Sequence, residues 1–221
     1  MNRRRFVMLA AVAALPVRAQ EDAPGLHFSR LTAGAPLPGW LETIPFGRGV
    51  KPTEFALVED EGRTVLRVRA RAAASGLARS LSVDPATRPI LAWRWKAKNL
   101  VERGDLRSKA GDDYALRLYV TWGPRIRLTA LCYVWDRRAA PGTISPNPYS
   151  DRVQMVVADS GTAQLGRWVA RERDVAADYR EAFGGEAPPV SGLIVSGDTD
   201  QTGESTEAWF GDVEFRSRRR S

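Results

Sequence analysis

Lys109-Ala110-Gly111-Asp112-Asp113-Tyr114-Ala115-Leu116-Arg117-Leu118-Tyr119-Val120 joins a turn with two adjacent acids to an alternating run. In a pleated strand, successive side chains point to opposite faces. Tyr114, Leu116, Leu118 and Val120 therefore share one side, and Asp113, Ala115, Arg117 and Tyr119 the other. One side is apolar and one is polar, the pattern of an antiparallel sheet packed on a core through a single face. The polar face must then meet water or a ligand.

The flanking runs read the same way. Phe55 to Glu59 and Thr64 to Ala70 surround Asp60-Glu61-Gly62, a hairpin signature. Leu77 to Val83 is a strand stopped by Asp84-Pro85. Ile90 to Lys98 alternates Trp93, Trp95 and Ala97 with Arg94, Lys96 and Lys98, and is expected beside the opening strand. Ile126 to Trp135 is expected on that strand's other side, presenting Tyr133 and Trp135 with its polar set.

Gly34 to Gly49 is rich in Gly and Pro and reads as an irregular edge, with Trp40 expected to plug into the core. Pro141, Gly142, Pro146 and Pro148 make 136–150 a long loop, and long loops in compact domains tend to be functional rims. Val153 to Ala158, Arg167 to Arg173, Val190 to Val195 and Glu207 to Phe215 are further strands. Asp174 as N-cap, with Val175, Tyr179, Ala182 and Phe183 on one stripe before Gly184, predicts a short helix over 174–183. About ten short strands without a βαβ rhythm imply an all-β fold, a two-sheet antiparallel β-sandwich with one helix.

Charge and compartment are set by the two ends of the chain. Arg3, Arg4 and Arg5 precede an apolar stretch from Phe6 to Val17, and Val17-Arg18-Ala19 carries small residues where a signal peptidase reads, so residues 1–19 are expected to be an export leader. The paired arginines before Phe6-Val7 fit a twin-arginine signal or an arginine-rich Sec signal, and both readings stay open. The expected location is periplasmic or secreted, with one domain over 20–215, a basic tail over 216–221 and no membrane span.

The net charge of +7 includes four arginines in the leader and four in the tail. Taking those eight from the 33 basic residues leaves 25 against 26 acids, so no basic face is expected and nucleic acid is not an expected partner. Cys132 is the only cysteine and His27 the only histidine, which argues against disulfides, histidine-rich zinc sites and Ser-His-Asp chemistry.

Six motifs occur in order: Trp93-Arg94-Trp95, Lys109-x-Gly111-Asp112-Asp113, Tyr133-Val134-Trp135, Arg173-Asp174-Val175, Asp198-Thr199-Asp200-x-Thr202-Gly203 and Phe210-Gly211-Asp212-Val213. Together they resemble a family of exported bacterial proteins known only as a domain of unknown function. The resemblance implies a galactose-binding-like jelly roll, as in carbohydrate-binding modules, and supplies no activity. It departs at Gln201, where Asn is expected.

Arg94, Asp113, Arg117, Tyr119, Tyr133 and Trp135 form the expected ligand face, with rings to stack on a sugar and charged groups to meet its hydroxyls. A glycan or another cell-envelope component is the expected partner. The alternative is that Asp113 and Arg117 are structural ion-pair partners and the two rings are covered. Asp198, Asp200 and Thr202 match the first half of a calcium loop, although Trp209 stands where the bidentate Glu would be. They read as a structural calcium site or as hairpin turn-formers, and no other cofactor is expected. Asp113 with Asp198 or Asp200 would be the acid and base of a glycan-cleaving enzyme. A protein-interaction module of the periplasm is the third reading.

Overall fold

The computed structural model describes residues 23–124 and 127–219. The expected leader, Ile126 at the start of one expected strand, and the last two tail residues lie outside the described residues. Thirteen strands and one α-helix are present among them, besides short 3-10 turns at Phe28–Arg30 and Lys109–Gly111: β1 Gly25–Leu26, β2 Glu42–Pro45, β3 Glu54–Asp60, β4 Arg63–Arg71, β5 Ala74–Val83, β6 Ile90–Ala97, β7 Arg117–Trp122, β8 Thr129–Asp136, β9 Ile144–Asn147, β10 Ser150–Ser160, β11 Val169–Asp174, α1 Val175–Phe183, β12 Val190–Asp198 and β13 Ser205–Arg216.

They form two sheets. Sheet I runs β11-β6-β13-β4-β3, with β1 added to β13, and sheet II runs β2-β5-β12-β7-β8-β10-β9. The expected two-sheet sandwich is the fold. One pair departs from the antiparallel rule, because β10 lies parallel to β8. The β3–β4 hairpin turns at Glu61 and Gly62, both at positive φ (50° and 70°), the geometry that a tight two-residue hairpin requires. Asp174 caps α1 as expected, its carboxylate accepting from the amides of Ala176 and Ala177.

β6 does not lie beside β7. It sits in sheet I between β11 and β13, and its Trp93 and Trp95 meet rings from sheet II across the core. Trp93 packs against Tyr133 with centroids 5.3 Å apart, and Trp95 against Trp135 at 6.2 Å. Leu118 and Val120 of β7 join the same core. Trp40 does not plug into it: the ring is 41% exposed and lies under the Arg79 guanidinium.

The outer face of sheet II is partly covered as well. Leu106 and Tyr114, from the segment between β6 and β7, pack on Cys132, Val134, Met155 and Val157 as a second apolar cluster. The other part of that face, over β5, β12 and β7, stays open. Among the described residues no helix is long and apolar enough to cross a membrane.

Candidate functional site

β7 begins three residues later than its alternation suggests, at Arg117. The backbone of the preceding turn is engaged elsewhere: the Tyr114 amide donates to Asp198 Oδ1 (3.0 Å), and the Tyr114 carbonyl accepts from the Asp198 amide (2.9 Å). These bonds tie the turn before β7 to the end of β12.

Register then sets which residues share a face. Leu118 pairs with Tyr133 and with Val195, and all three point into the core. Tyr119 pairs with Cys132 and Ile194 on the outer side, and Arg117 with Val134 and Ser196. The six expected ligand residues are therefore divided among three places. Arg117 and Tyr119 lie on the outer face of sheet II, with Asp113 beside them. Arg94 is on the outside of sheet I, its guanidinium 4.5 Å from the Trp168 ring. Tyr133 and Trp135 are core residues. The Tyr133 hydroxyl donates to Asp178 (2.7 Å), and the Trp135 indole donates to the Gly161 carbonyl (3.0 Å). Their rings cannot stack on a ligand. The alternation was legible in sequence, but the inward side of β8 is the one carrying the large rings, because the core space beside Trp93 and Trp95 is ring-sized.

Arg117 is 2% exposed and holds the polar end of the outer face together. Its Nε donates to Asp198 Oδ1 (2.8 Å), one terminal nitrogen to Asp112 Oδ1 (2.9 Å) and the Asp112 carbonyl, and the other to the Tyr119 hydroxyl (3.3 Å). The Tyr114 ring lies 4.7 Å from the guanidinium carbon. Burial pushes the Asp198 carboxyl up, to about 7, against the pull of Arg117.

Asp113 is fully buried and caps the β12–β13 loop, accepting from the amides of Thr202 (2.6 Å) and Gln201 (3.4 Å). Burial raises its pKa too, opposed by those bonds to Thr202. Of the expected calcium triad, Asp198 and Asp200 come together, and Asp113 stands with them, one carboxylate oxygen of each lying within 4.8 Å of the others. Thr202 meets this cluster through its bonds to Asp113, and its hydroxyl also accepts from the Glu204 amide (3.4 Å).

A groove of about 940 Å³ crosses this face. Asp112, Asp198, Asp200, Gln201, Asn147 and Tyr149 line its polar end. There Asn147 donates to Asp112 (2.9 Å), and the Tyr149 hydroxyl reaches the Gln201 side-chain oxygen (2.8 Å). Further along, the Phe46 ring meets the Tyr119 ring edge-on at 6.1 Å. Phe46 and Ile194 close over Gly76, where a Cβ would lie 2.9 Å from the ring and 2.6 Å from Ile194 Cγ2. Only a glycine lets both side chains lie down on the floor.

Phe46, Tyr149, Asn147, Asp112 and Ile194 are groove residues that the strand patterns do not select. Tyr149 and Asn147 belong to the 136–150 segment whose length marks it as a rim. Phe46 lies in the Gly- and Pro-rich passage, which carries no periodicity to read.

No curated protein matches the chain. Among solved structures, it is similar to the family 30 carbohydrate-binding module of the cellulosomal cellulase Cel9D-Cel44B of Clostridium thermocellum, at 15% identity over 90% of this chain and 95% of that one, with a TM-score of 0.37. It is also similar to the xyloglucanase domain of NopAA, a type three effector from Sinorhizobium fredii, in complex with cellobiose, at 10% identity over 80% and 93% of the two chains and a TM-score of 0.44. A family model matches residues 38–214, and with most of its length so matched the chain belongs to the family described as protein of unknown function (DUF3047).

Proposed function

We propose that the groove on the outer face of sheet II binds a glycan or another polyol of the cell envelope, after export to the periplasm or beyond, and does not cleave it. The observation that carries this reading is the groove itself. Rings at Phe46, Tyr119 and Tyr149 line it together with carboxylate and amide groups at Asp112, Asp200, Asn147 and Gln201. Sugar recognition uses both kinds of surface: flat apolar faces against C–H groups and fixed polar groups against hydroxyls. Calorimetry against a panel of envelope glycans tests it. Binding is expected, weakened at least tenfold in Phe46→Ala and in Tyr149→Ala. Phe46 is 37% and Tyr149 53% exposed, so neither belongs to the core and both variants should stay folded. Absence of binding across the panel would overturn the reading.

Glycan cleavage is the second reading, favoured by the three clustered carboxylates. Two of them are already engaged: Asp113 by loop amides and Asp198 by Arg117. That leaves Asp200 without a free partner acid. New reducing ends on incubation with a bound glycan, abolished by Asp200→Asn, would establish cleavage instead.

We also propose that Asp113, Asp198 and Asp200 take a structural calcium ion. Three carboxylates beside one guanidinium leave an excess of negative charge that a hard cation relieves. At free calcium about 100 times Kd, linkage adds about 2.7 kcal/mol. The melting midpoint in millimolar calcium should then exceed that in EDTA by several degrees, and Asp200→Asn should remove the difference. Coincident melts of the parent protein in the two buffers would show that these acids only shape the turn.

A further inference from the structure

Beyond its polar end, the groove is lined chiefly by hydrocarbon. Ile44 and Phe46 stand on one side, Ala78, Ile194 and the Tyr119 ring make the floor, and Val153 stands on the other side. Across the strands, Ala78 pairs with Ile194 and Ile194 with Tyr119, so these three form one row on the open face. Phe46 lies over that row and is still 37% exposed. An apolar strip left open on a soluble domain marks a surface meant to be covered. A bare oligosaccharide would leave much of it without an apolar partner.

The polar end is selective in sign. Asp112, Asp198 and Asp200 line it and Asp113 lies behind them, facing one guanidinium, Arg117, whose nitrogens are already bonded to Asp112, Asp198 and Tyr119. Of the other cations along the groove, Arg79 donates to the Gly25 carbonyl and covers Trp40. Arg48 also lines the groove, as does Glu42, and Lys109 lies over the Tyr149 ring at 5.1 Å, so that two cations, Arg117 and Lys109, stand near the four carboxylates of the polar end. An anionic head placed at the polar end would meet net negative charge in a partly desolvated site.

From this polarity pattern we infer that the occupant is an amphiphile, a glycoside whose uncharged or amine-bearing sugar sits at the Asp112–Asp200 end and whose hydrocarbon tail lies along Phe46, Ile194 and Tyr119. The inference rests on the glycan reading above and narrows it to glycolipid-like ligands without a phosphate head.

The test is a chain-length series: methyl, butyl, hexyl and octyl β-glucosides, each below its micelle concentration, titrated into the mature protein. EDTA is present so that no divalent ion bridges an anionic head to the acids. Burying each added methylene at about 0.8 kcal/mol predicts an affinity gain of about fourfold per carbon until the strip is filled. Ile194→Thr keeps a β-branched side chain in the strand and should flatten the series while its melt stays close to the parent's. Octyl phosphate should bind at least tenfold more weakly than octyl glucoside. Glucosides that bind with no dependence on chain length would overturn the inference and leave the glycan reading standing. Octyl phosphate binding as well as octyl glucoside would overturn the selection for the head. Failure of every glucoside together with the glycan panel would overturn both readings.

Discussion

Replacing Arg117 by Met should destabilise the protein by about 3 to 5 kcal/mol, the cost of breaking a buried ion pair from one side. For a domain of this size that is a fall of about 6 to 20 °C in melting midpoint. Asp112 and Asp198 are 8% and 5% exposed and would be left facing each other without a cation. The loss should also depend on pH. Asp198 already has its folded pKa raised, to about 7, above the ordinary carboxylate value. Between the unfolded and folded values the folded state holds the extra proton, so stability from this group is present in acid and is lost as pH rises through about 7. Removing Arg117 removes the one neighbour that lowers that pKa strongly, so the deficit of Arg117→Met relative to the parent should be smaller at pH 5 than at pH 8. Equilibrium denaturation at the two pH values checks it; a deficit below 1 kcal/mol at pH 8 would mean that the network contributes little.

Trp135→Ala is the second large effect, again a loss of about 3 to 5 kcal/mol, through the transfer free energy of the indole and the cavity that it leaves. Trp135 is 1% exposed and packs against Trp95. Trp95 in turn donates to Asp159 Oδ2 (2.7 Å), and the other oxygen of that carboxylate, Oδ1, accepts from Arg171 Nε at 3.0 Å. Loss of the Trp135 ring should thus loosen a polar contact at the core edge as well as the core itself. Phe46→Ala, on the open face, should change stability far less and ligand binding far more. Thermal melts and titrations of the two variants side by side separate a core aromatic from a groove aromatic. A Trp135→Ala protein that melts like the parent while losing ligand would return this ring to the binding face.

The sequence by itself determined the fold class and most of the elements; β2 and β9 formed inside the passages read as an irregular edge and a long loop, because pairing with β5 and β10 supplies partners that no local pattern shows. Alternation in β4, β6, β7 and β8, the Glu61-Gly62 turn and the Asp174 cap are local matters, set by the two-residue period of a strand and by backbone groups that need a partner within a few residues. They were legible from Thr64 to Ala70 or from Asp174 to Phe183 without knowledge of the rest of the chain. Cys132, inside one such run, is buried.

What the sequence did not determine was which strand adjoins which, and so which polar face meets which. An alternating strand declares that it has two faces without declaring what covers each. β6 and β8 read alike, yet β6 lies in sheet I and β8 in sheet II, which sends Arg94 to one exterior, Arg117 to the other, and Tyr133 and Trp135 between the sheets. Asp113 reads as a ligand residue by its parity in the alternating run, but long-range bonds to Gln201 and Thr202 make it the cap of a loop some 88 residues away in sequence. The groove depends on such contacts throughout: Phe46, Asp112, Tyr149, Ile194 and Asp200 come from segments whose meeting is decided by sheet order. Sheet order is set by packing the rings of both sheets into one core, a property of the whole chain that no local period encodes.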